Sequence, residues 1–313
     1  MVKKMTKIKV ALIYGGTSSE REVSIAGKDA VFEAIDKNLY EVECFDSKFD
    51  LEKILKNASK IDTALIILHG ENGEDGKVQG FLDLLNIPYQ SSGVLSSALA
   101  MNKEKCKDFY KINSIPIANH LVFKKHSKEL ENQIIEKIGL PVVIKPALGG
   151  SSIALSIVGN QNELKDACLK ALKESKIVMA EEYISGTELT CGILGNDDPK
   201  ALPIIEIRPK QGHKFFDYEA KYTAGETDEI CPAEIDEKTA EKVQNLCIKI
   251  HKILQCKGCS RTDLILKDNN LYVLETNTIP GMTKNSLLPL AARTAGISFT
   301  QLIDKLINFS LEK

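Results

Sequence analysis

The stretch "TALIILHG" (63–70) is apolar at nearly every position and does not alternate with polar residues. A strand with one wet face alternates, whereas a strand buried on both faces reads as a continuous apolar run. This run therefore demands packed layers on both sides, which a parallel sheet with crossover helices supplies. Neighbouring segments fit that plan. "KVALIYGGTSSEREVSIAGKDAVFEAI" reads as strand, glycine turn and helix, with Ser19 and Glu22 spaced as a capping box. "EVECF" (41–45) reads as a second strand, and "VQGFLDLLNIP" (78–88) as a helix stopping at Pro88. Residues 1–100 are expected to form an α/β unit around a parallel sheet.

At 313 residues the chain exceeds one ordinary core. Residues 101–185 read as a second, α+β domain: a helix over 101–116 with Asn102 as cap, "LVFKK", a helix near 127–138, the strand "PVVIKPALGGSS", a helix near 162–174 and the strand "IVMAEEYI". Residues 186–313 form the third expected domain. "TELTCGIL" and "ALPIIEI" read as adjacent antiparallel strands. A polar loop over 208–232, carrying Phe215, Phe216, Tyr218 and Tyr222, has the length of a functional lid. A helix (237–254), a hairpin (261–277) and a helix (299–311) capped by Ser298 and Gln301 close the chain.

Charge and composition exclude some functions. With 41 basic and 43 acidic residues the net charge is −2, without the basic excess of a nucleic-acid binder. No apolar run reaches membrane-span length. The opening "MVKKMTKIKVALIYGG" reads as a first strand of a cytoplasmic enzyme, since it lacks a small-residue cleavage site. Eight scattered cysteines argue against a disulfide framework, and "CKGC" (256–259) is a lone CxxC that reads as structural thiols.

The hairpin "RTDLILKDNNLYVLETN" carries chemistry. Centred on Asn269, it places Asp263 opposite Glu275, Ile265 opposite Val273 and Arg261 opposite Asn277. Alternation then puts Arg261, Asp263, Glu275 and Asn277 on one face, and Leu264, Leu266, Tyr272 and Leu274 on the other. Opposed residues stand roughly 4.5–5.5 Å apart at Cβ, so two carboxylates there need a proton or cation between them. Two carboxylates, a carboxamide and room for phosphate oxygens suit Mg²⁺ beside a nucleotide. The bland alternative is a solvated surface hairpin, and Ile265 and Val273 on the acid face count against it.

Glycine loops supply further sites. "GGSS" (149–152) follows the apolar strand ending in Lys145 and offers backbone N–H groups to phosphate, without the Gly-Lys-Ser/Thr of a Walker loop. Lys145 needs an anion if buried, and otherwise reads as a snorkelling lysine. "GGTSSERE" lacks GxGxxG, which disfavours a dinucleotide dehydrogenase. "HGENGEDG" brings His69, three acids and three glycines to the end of a strand, where open α/β sheets bind ligands. "AEEYISGTE" (180–188) has the extended character of a hinge able to bond adenine through its backbone.

Taken in order, "GGTSSEREVS", "LHGENGEDG", "QGFLDLLNIPY", "KPALGGSS", "DYEAKY", "CPA" and "LETNTIPGMT" resemble the D-alanine–D-alanine ligases of the ATP-grasp superfamily, over essentially the whole chain. The resemblance implies a three-domain ATP-grasp architecture, ATP as co-substrate gripped between the second and third domains, and Mg²⁺ or Mn²⁺, two ions per site. It implies ligation of two D-alanine molecules through a D-alanyl phosphate, in a bacterial cytoplasm, for peptidoglycan, by a homodimer. Carried over residue by residue, Glu20 resembles the acid holding the first ammonium, and His69 a histidine near it. Lys103 and Lys145 resemble the ATP-phosphate lysines. Ser151 lies in the loop over the phosphates and supports Glu20. Glu181, Glu182, Tyr183, Ile184 and Glu188 fall on the adenine–ribose segment, and Lys221 and Tyr222 on the closing loop. Arg261 resembles the arginine that stabilises the transferring phosphoryl group. Asp263, Glu275 and Asn277 match the metal ligands, and Gly281, Ser286 and Leu287 the second-substrate region. The lid Tyr222 points to a dipeptide product rather than an ester.

Three departures from the family pattern stand out: Leu148-Gly149 replaces a charged pair, Ala154 a glycine, and "SRTD" a "GRID"-like sequence. The rival readings are another ATP-grasp carboxylate–amine ligase, differing at Glu20 and Ser286, and a nucleotide-binding regulatory protein with no substrate shell.

Overall fold

A computed structural model describes residues 7–150, 153–209 and 227–312. The first part comprises β1 (Ile8–Tyr14), α1 (Arg21–Ala34), β2 (Tyr40–Asp46), α2 (Leu51–Asn57), β3 (Thr63–Ile66), α3 (Lys77–Leu84) and α4 (Val94–Met101). The strands form a parallel sheet in the order β2-β1-β3. Alternate residues go to opposite faces: Val10 and Leu12 join one core cluster, Ala11 and Ile13 another. Burial on both faces is what the unbroken apolar run of β3 required. Helices α2 and α4 fall in stretches that the sequence left without an element.

The second part contains α5 (Lys103–Ile112), β4 (His120–Phe123), α6 (Lys128–Lys137), β5 (Val142–Pro146), β6 (Ser156–Val158), α7 (Leu164–Glu174) and β7 (Val178–Glu182). Its antiparallel sheet runs β4-β7-β5-β6. Val142, Ile144, Val178 and Ala180 face a core with Ile134 of α6 and Cys168 of α7. The period of 2 therefore turns Lys145 and Glu181 to the opposite face. Asn102 caps α5 by accepting the Lys105 N–H, as its residue type predicts.

The third part contains β8 (Thr187–Leu194), β9 (Lys200–Ala201), β10 (Ile205–Pro209), β11 (Thr227–Ile230), α8 (Glu237–Ile253), β12 (Cys259–Lys267), β13 (Asn270–Asn277), α9 (Leu287–Thr294) and α10 (Phe299–Leu311). The sheet order is β11-β10-β8-β12-β13, with β9 on β8. The stretch read as a loop over 208–232 is narrower than expected, because β10 and β11 extend into it and pair antiparallel. Helix α10 returns to the first sheet, where Leu302, Leu306 and Ile307 share a core with Val10 and Leu12. Its Ser298–Gln301 capping box forms as read.

Two sequence expectations fail. Ser19 and Glu22 do not cap α1: the N-cap is Glu20, without a side-chain cap bond. The Ser18 hydroxyl instead accepts the Glu20 N–H and donates to the His69 carbonyl at 2.7 Å, linking two loops. The hairpin register also differs. Asp268 and Asn269 both have positive φ, 48° and 61°, and Lys267 pairs with Asn270. That two-residue turn suits paired left-handed residues. It sets Leu264 opposite Val273 and Ile265 opposite Tyr272, not Val273. A bulge beyond Asp263 leaves Leu274 as the extra residue, and Asp263 opposite Glu275 and Arg261 opposite Asn277 are restored. The bulge also exchanges faces: Val273 is fully buried in a core with Tyr110, while Leu274 joins Ile265 on the cavity wall.

Candidate active site

The two antiparallel sheets and the loops that follow β1 and β3 border a cavity of about 1140 Å³. Glu20, Gly70 and Gly150 border it on one side, Lys103 and Lys145 on another, and Asp263 and Glu275 on the hairpin side. The segment Glu181–Ile184 and Glu188 line it as well. Residues far apart in the chain, singled out by sequence, thus meet at one surface.

Glu20 is buried, at 8% exposure. Glycines make room for its carboxylate: a Cβ on Gly70 would stand 2.7 Å from Oε2, and one on Gly150 3.3 Å. Gly70 also has φ +69°, where side chains are strained. The first loop is pinned by Arg21, which donates to both oxygens of Asp46 at 3.0 and 2.6 Å and to the Gly16 carbonyl at 2.8 Å. Sequence reasoning passed over Arg21, since its partner is a strand away.

His69 is buried, and its Nε2 meets no hydrogen-bonding partner among the described residues. Burial and the charge of Arg261 pull its pKa down to about 4, so the ring is neutral near pH 7. Glu74, in the same glycine-rich loop, accepts the Gly70 N–H at 2.7 Å. Burial and the neighbouring Glu20 push its carboxyl up to about 8. Glu74 was not singled out from sequence; the three acids of "HGENGEDG" looked equivalent.

The hairpin supplies the charge centre. Arg261 Nε and Nη2 donate to the two oxygens of Asp263, each at 2.9 Å. Thr190 donates to Asp263 Oδ1 at 2.5 Å, and the Asn277 amide to Oδ2 at 3.2 Å. Asp263 raises the Arg261 pKa further despite burial, so the guanidinium stays charged. Glu275 Oε2 lies 3.3 Å from Lys103 Nζ. Lys103 also donates to the Gly149 carbonyl at 2.6 Å, and its backbone N–H to the Ala147 carbonyl, fixing α5 against the loop that follows β5. Two opposed carboxylates and one carboxamide are hard oxygen donors, and the cations beside them mark a place where positive charge is wanted. Among the described residues no three His, Cys, Asp or Glu cluster as a metal site, so this donor set depends on Asn277.

Lys145 and Glu181 form a buried ion pair at 2.5 Å, so the lysine is not a snorkelling one. Lys107, only 1% exposed, takes the other Glu181 oxygen. Glu182 accepts the Asn119 amide at 2.9 Å. Near the hairpin end, Ser286 accepts the Thr283 N–H at 3.1 Å, and a Cβ on Gly281 would stand 2.9 Å from its hydroxyl. His69, Arg261, Asn277, Gly281 and Ser286 do not line the cavity, and neither does Leu287, which is buried in the core with Leu288 and Met282. Ser151, Lys221 and Tyr222 lie outside the described residues. Cys256 and Cys259 are buried free thiols held protonated, pushed up to about 11 and 12 by burial.

A cavity between two antiparallel sheets and the loops of a parallel-sheet domain, lined with lysines and an opposed carboxylate pair, is the architecture of the ATP-grasp ligases. The family models for the D-ala D-ala ligase C-terminus and N-terminus match residues 109–308 and 45–92. The chain belongs to the D-alanine–D-alanine ligase family. It is 49% identical over 306 residues to the D-alanine–D-alanine ligase of Syntrophobacter fumaroxidans, covering 98% of each chain. To that of Desulfotalea psychrophila it is 49% identical, covering 98% of this chain and 96% of that one. The structure of the Bacillus anthracis D-alanine–D-alanine ligase complexed with ATP superposes with a TM-score of 0.83 at 35% identity, covering 97% of both chains. The VanG D-Ala:D-Ser ligase of Enterococcus faecalis also superposes at 0.83, with 32% identity, covering 97% of this chain and 100% of that one.

Proposed function

We propose that this chain joins two D-alanine molecules into D-alanyl-D-alanine at the expense of ATP, through a D-alanyl phosphate, as a step of peptidoglycan synthesis. The observation that carries the reading is one cavity bordered both by a carboxylate wedged between glycines, Glu20, and by Lys103 and Lys145 with the hairpin carboxylates Asp263 and Glu275. The first suits the ammonium of an amino acid; the second suits a polyphosphate.

In this reading Glu20 holds the first ammonium, and neutral His69 offers Nε2 to the same substrate. Lys103 and Lys145 meet phosphate oxygens, and Glu182 to Ile184 with Glu188 border adenine and ribose. A carboxylate is a poor acyl donor until phosphorylated, and negative charge grows on the transferring group. Arg261, fixed by Asp263 before the reaction, meets that charge without reorganising. Asp263, Glu275 and Asn277 would hold Mg²⁺ or Mn²⁺, two ions in the family pattern, which neutralise phosphate charge when bound. Ser151 and the lid residues Lys221 and Tyr222 keep the roles given by resemblance, and closing the site protects the acyl phosphate from water. Gly281 and Ser286 border the second amino acid, and buried Leu287 supports that turn from behind. The three domains divide near residues 100 and 185. We place the enzyme in the cytoplasm as a homodimer; among the described residues no helix is long and apolar enough to cross a membrane.

The test is ADP release from the purified chain with Mg-ATP and D-alanine, L-alanine, or D-alanine with D-serine or D-lactate. Strict dependence on D-alanine, with dipeptide and phosphate appearing together, is the expected result. ADP release indifferent to D-alanine would overturn the assignment and leave only an ATP-grasp enzyme. A preference for D-serine as second substrate would align the chain with the D-Ala:D-Ser relative.

A further inference from the structure

Lys107 on α5 is sealed from solvent, and its ammonium pairs with Glu181 Oε1 and reaches the Val273 carbonyl at 3.4 Å. The other oxygen of Glu181 takes Lys145 at 2.5 Å. One buried carboxylate therefore serves two buried ammonium groups, of which Lys145 lines the cavity. Neither lysine is redundant. If Lys145 turns to an ATP phosphate, Glu181 loses one counter-ion, and a buried carboxylate without any counter-ion must take up a proton.

We propose that Lys107 is a positioning residue for the nucleotide: it keeps Glu181 ionised and in place while Lys145 is drawn to the phosphates, so that ATP binds without proton uptake. The proposal rests on the ligase reading, which supplies ATP as the ligand of Lys145.

The surroundings of Glu181 contain no substitute for Lys107 among the described residues. Lys107 faces it from α5 and Lys145 from β5. His120, its ladder partner on β4, is held below its ordinary pKa by burial and is neutral near pH 7. Glu275 on β13 acts on Lys145, not as a cation. Burial alone pushes the Glu181 carboxyl up; the two lysines override it and hold it at about 2. Lys107 itself is lowered by burial, whereas Lys145 stays raised by Glu181.

The experiment is calorimetric titration of Mg-ATP into the full chain and into Lys107→Met, between about pH 6 and 8.5, in buffers of different ionisation enthalpy. The unmodified chain is expected to take up no proton. Lys107→Met is expected to take up close to one, with Kd rising up to about tenfold per pH unit. A role in folding alone would lower Tm without creating proton uptake, so a pH-independent Kd in Lys107→Met overturns the proposal. If Lys107→Met does not fold, Glu181→Gln and Lys107→Met/Glu181→Gln are compared. With the charge gone, Lys107 has nothing to neutralise, and the two should bind Mg-ATP within about twofold of each other. A double variant weaker by tenfold or more overturns the proposal. Failure of the unmodified chain to bind Mg-ATP would overturn the ligase reading itself.

Discussion

Arg261 and Asp263, two residues apart on β12, form a forked pair in which Nε and Nη2 meet the two carboxylate oxygens at 2.9 Å each. The i, i+2 spacing puts both on one face of the strand, and the planar guanidinium matches the planar carboxylate. The pair lets Asp263 stand opposite Glu275 without open repulsion. It also fixes the guanidinium, so that the charge is already in position when substrate binds.

Arg261→Lys keeps the charge and loses the fork. We expect kcat to fall by about 10²–10³-fold, with the protein still folded. Steady-state ADP release with D-alanine measures this; a rate near that of the unmodified chain would remove Arg261 from the phosphoryl-transfer step.

Glu275→Gln removes one of the two opposed carboxylates and the partner of Lys103. Turnover should be lost at ordinary Mg²⁺ and recover in part, if at all, only at much higher Mg²⁺. Near-normal activity across a Mg²⁺ titration would contradict the hairpin as the metal site.

Ala154 occupies φ +55°, where the family pattern has glycine. A left-handed residue with a Cβ costs about 1–2 kcal/mol, partly offset by the greater freedom of glycine when unfolded. Ala154→Gly should therefore stabilise the chain by about 0.5–1 kcal/mol. Thermal unfolding decides; a lower Tm would show that the alanine is not strained.

Acid should destabilise the protein through its buried histidines. Burial pulls both His69 and His251 down to about 4. The unfolded chain, with histidine near 6.5, binds more protons than the native one between those values, so stability falls as pH drops from about 6.5 to about 4. Each histidine contributes a slope of up to about 1.4 kcal/mol per pH unit, and Glu74, pushed up to about 8, offsets one of the two over most of that range. Urea midpoints at pH 7 and 5 measure it. His251→Gln should show a shallower fall than the unmodified chain, and an equal fall would exonerate His251.

His251 also accounts for one departure from the family sequence. Its Nε2 meets the Gly195 carbonyl at 3.2 Å, which leaves Nδ1 to accept the Ser260 hydroxyl at 2.8 Å. Ser260→Gly should cost about 1–3 kcal/mol by leaving a buried nitrogen unpaired. An unchanged denaturation midpoint would mean that Nδ1 has found another partner.

Several relationships were legible in the sequence because they depend on local periodicity. Period 2 placed Asp263, Glu275, Arg261 and Asn277 on one face, and the unbroken apolar run of β3 required a sheet covered on both sides. Asn102, and Ser298 with Gln301, announced their helix starts because a cap bonds within one turn. The same local logic misread Ser19 and Glu22, since the competing partner of the Ser18 hydroxyl, the His69 carbonyl, lies in a loop distant in sequence.

The sequence by itself determined the alternation of strands and helices, the glycine loops at strand ends and the opposed carboxylates, all of which follow from bond geometry over a few residues. The tertiary structure decided the rest. It made Leu274 the bulged residue, since a two-residue turn and the Asp263–Glu275 pairing cannot share one register. It buried Lys107 in an otherwise polar run and gave it Glu181, wedged Glu20 between Gly70 and Gly150, and sent Leu287 into the core. These are contacts between distant segments, and burial sets their energies. A side chain's charge state and role depend on which groups packing brings to it, and no local pattern encodes that.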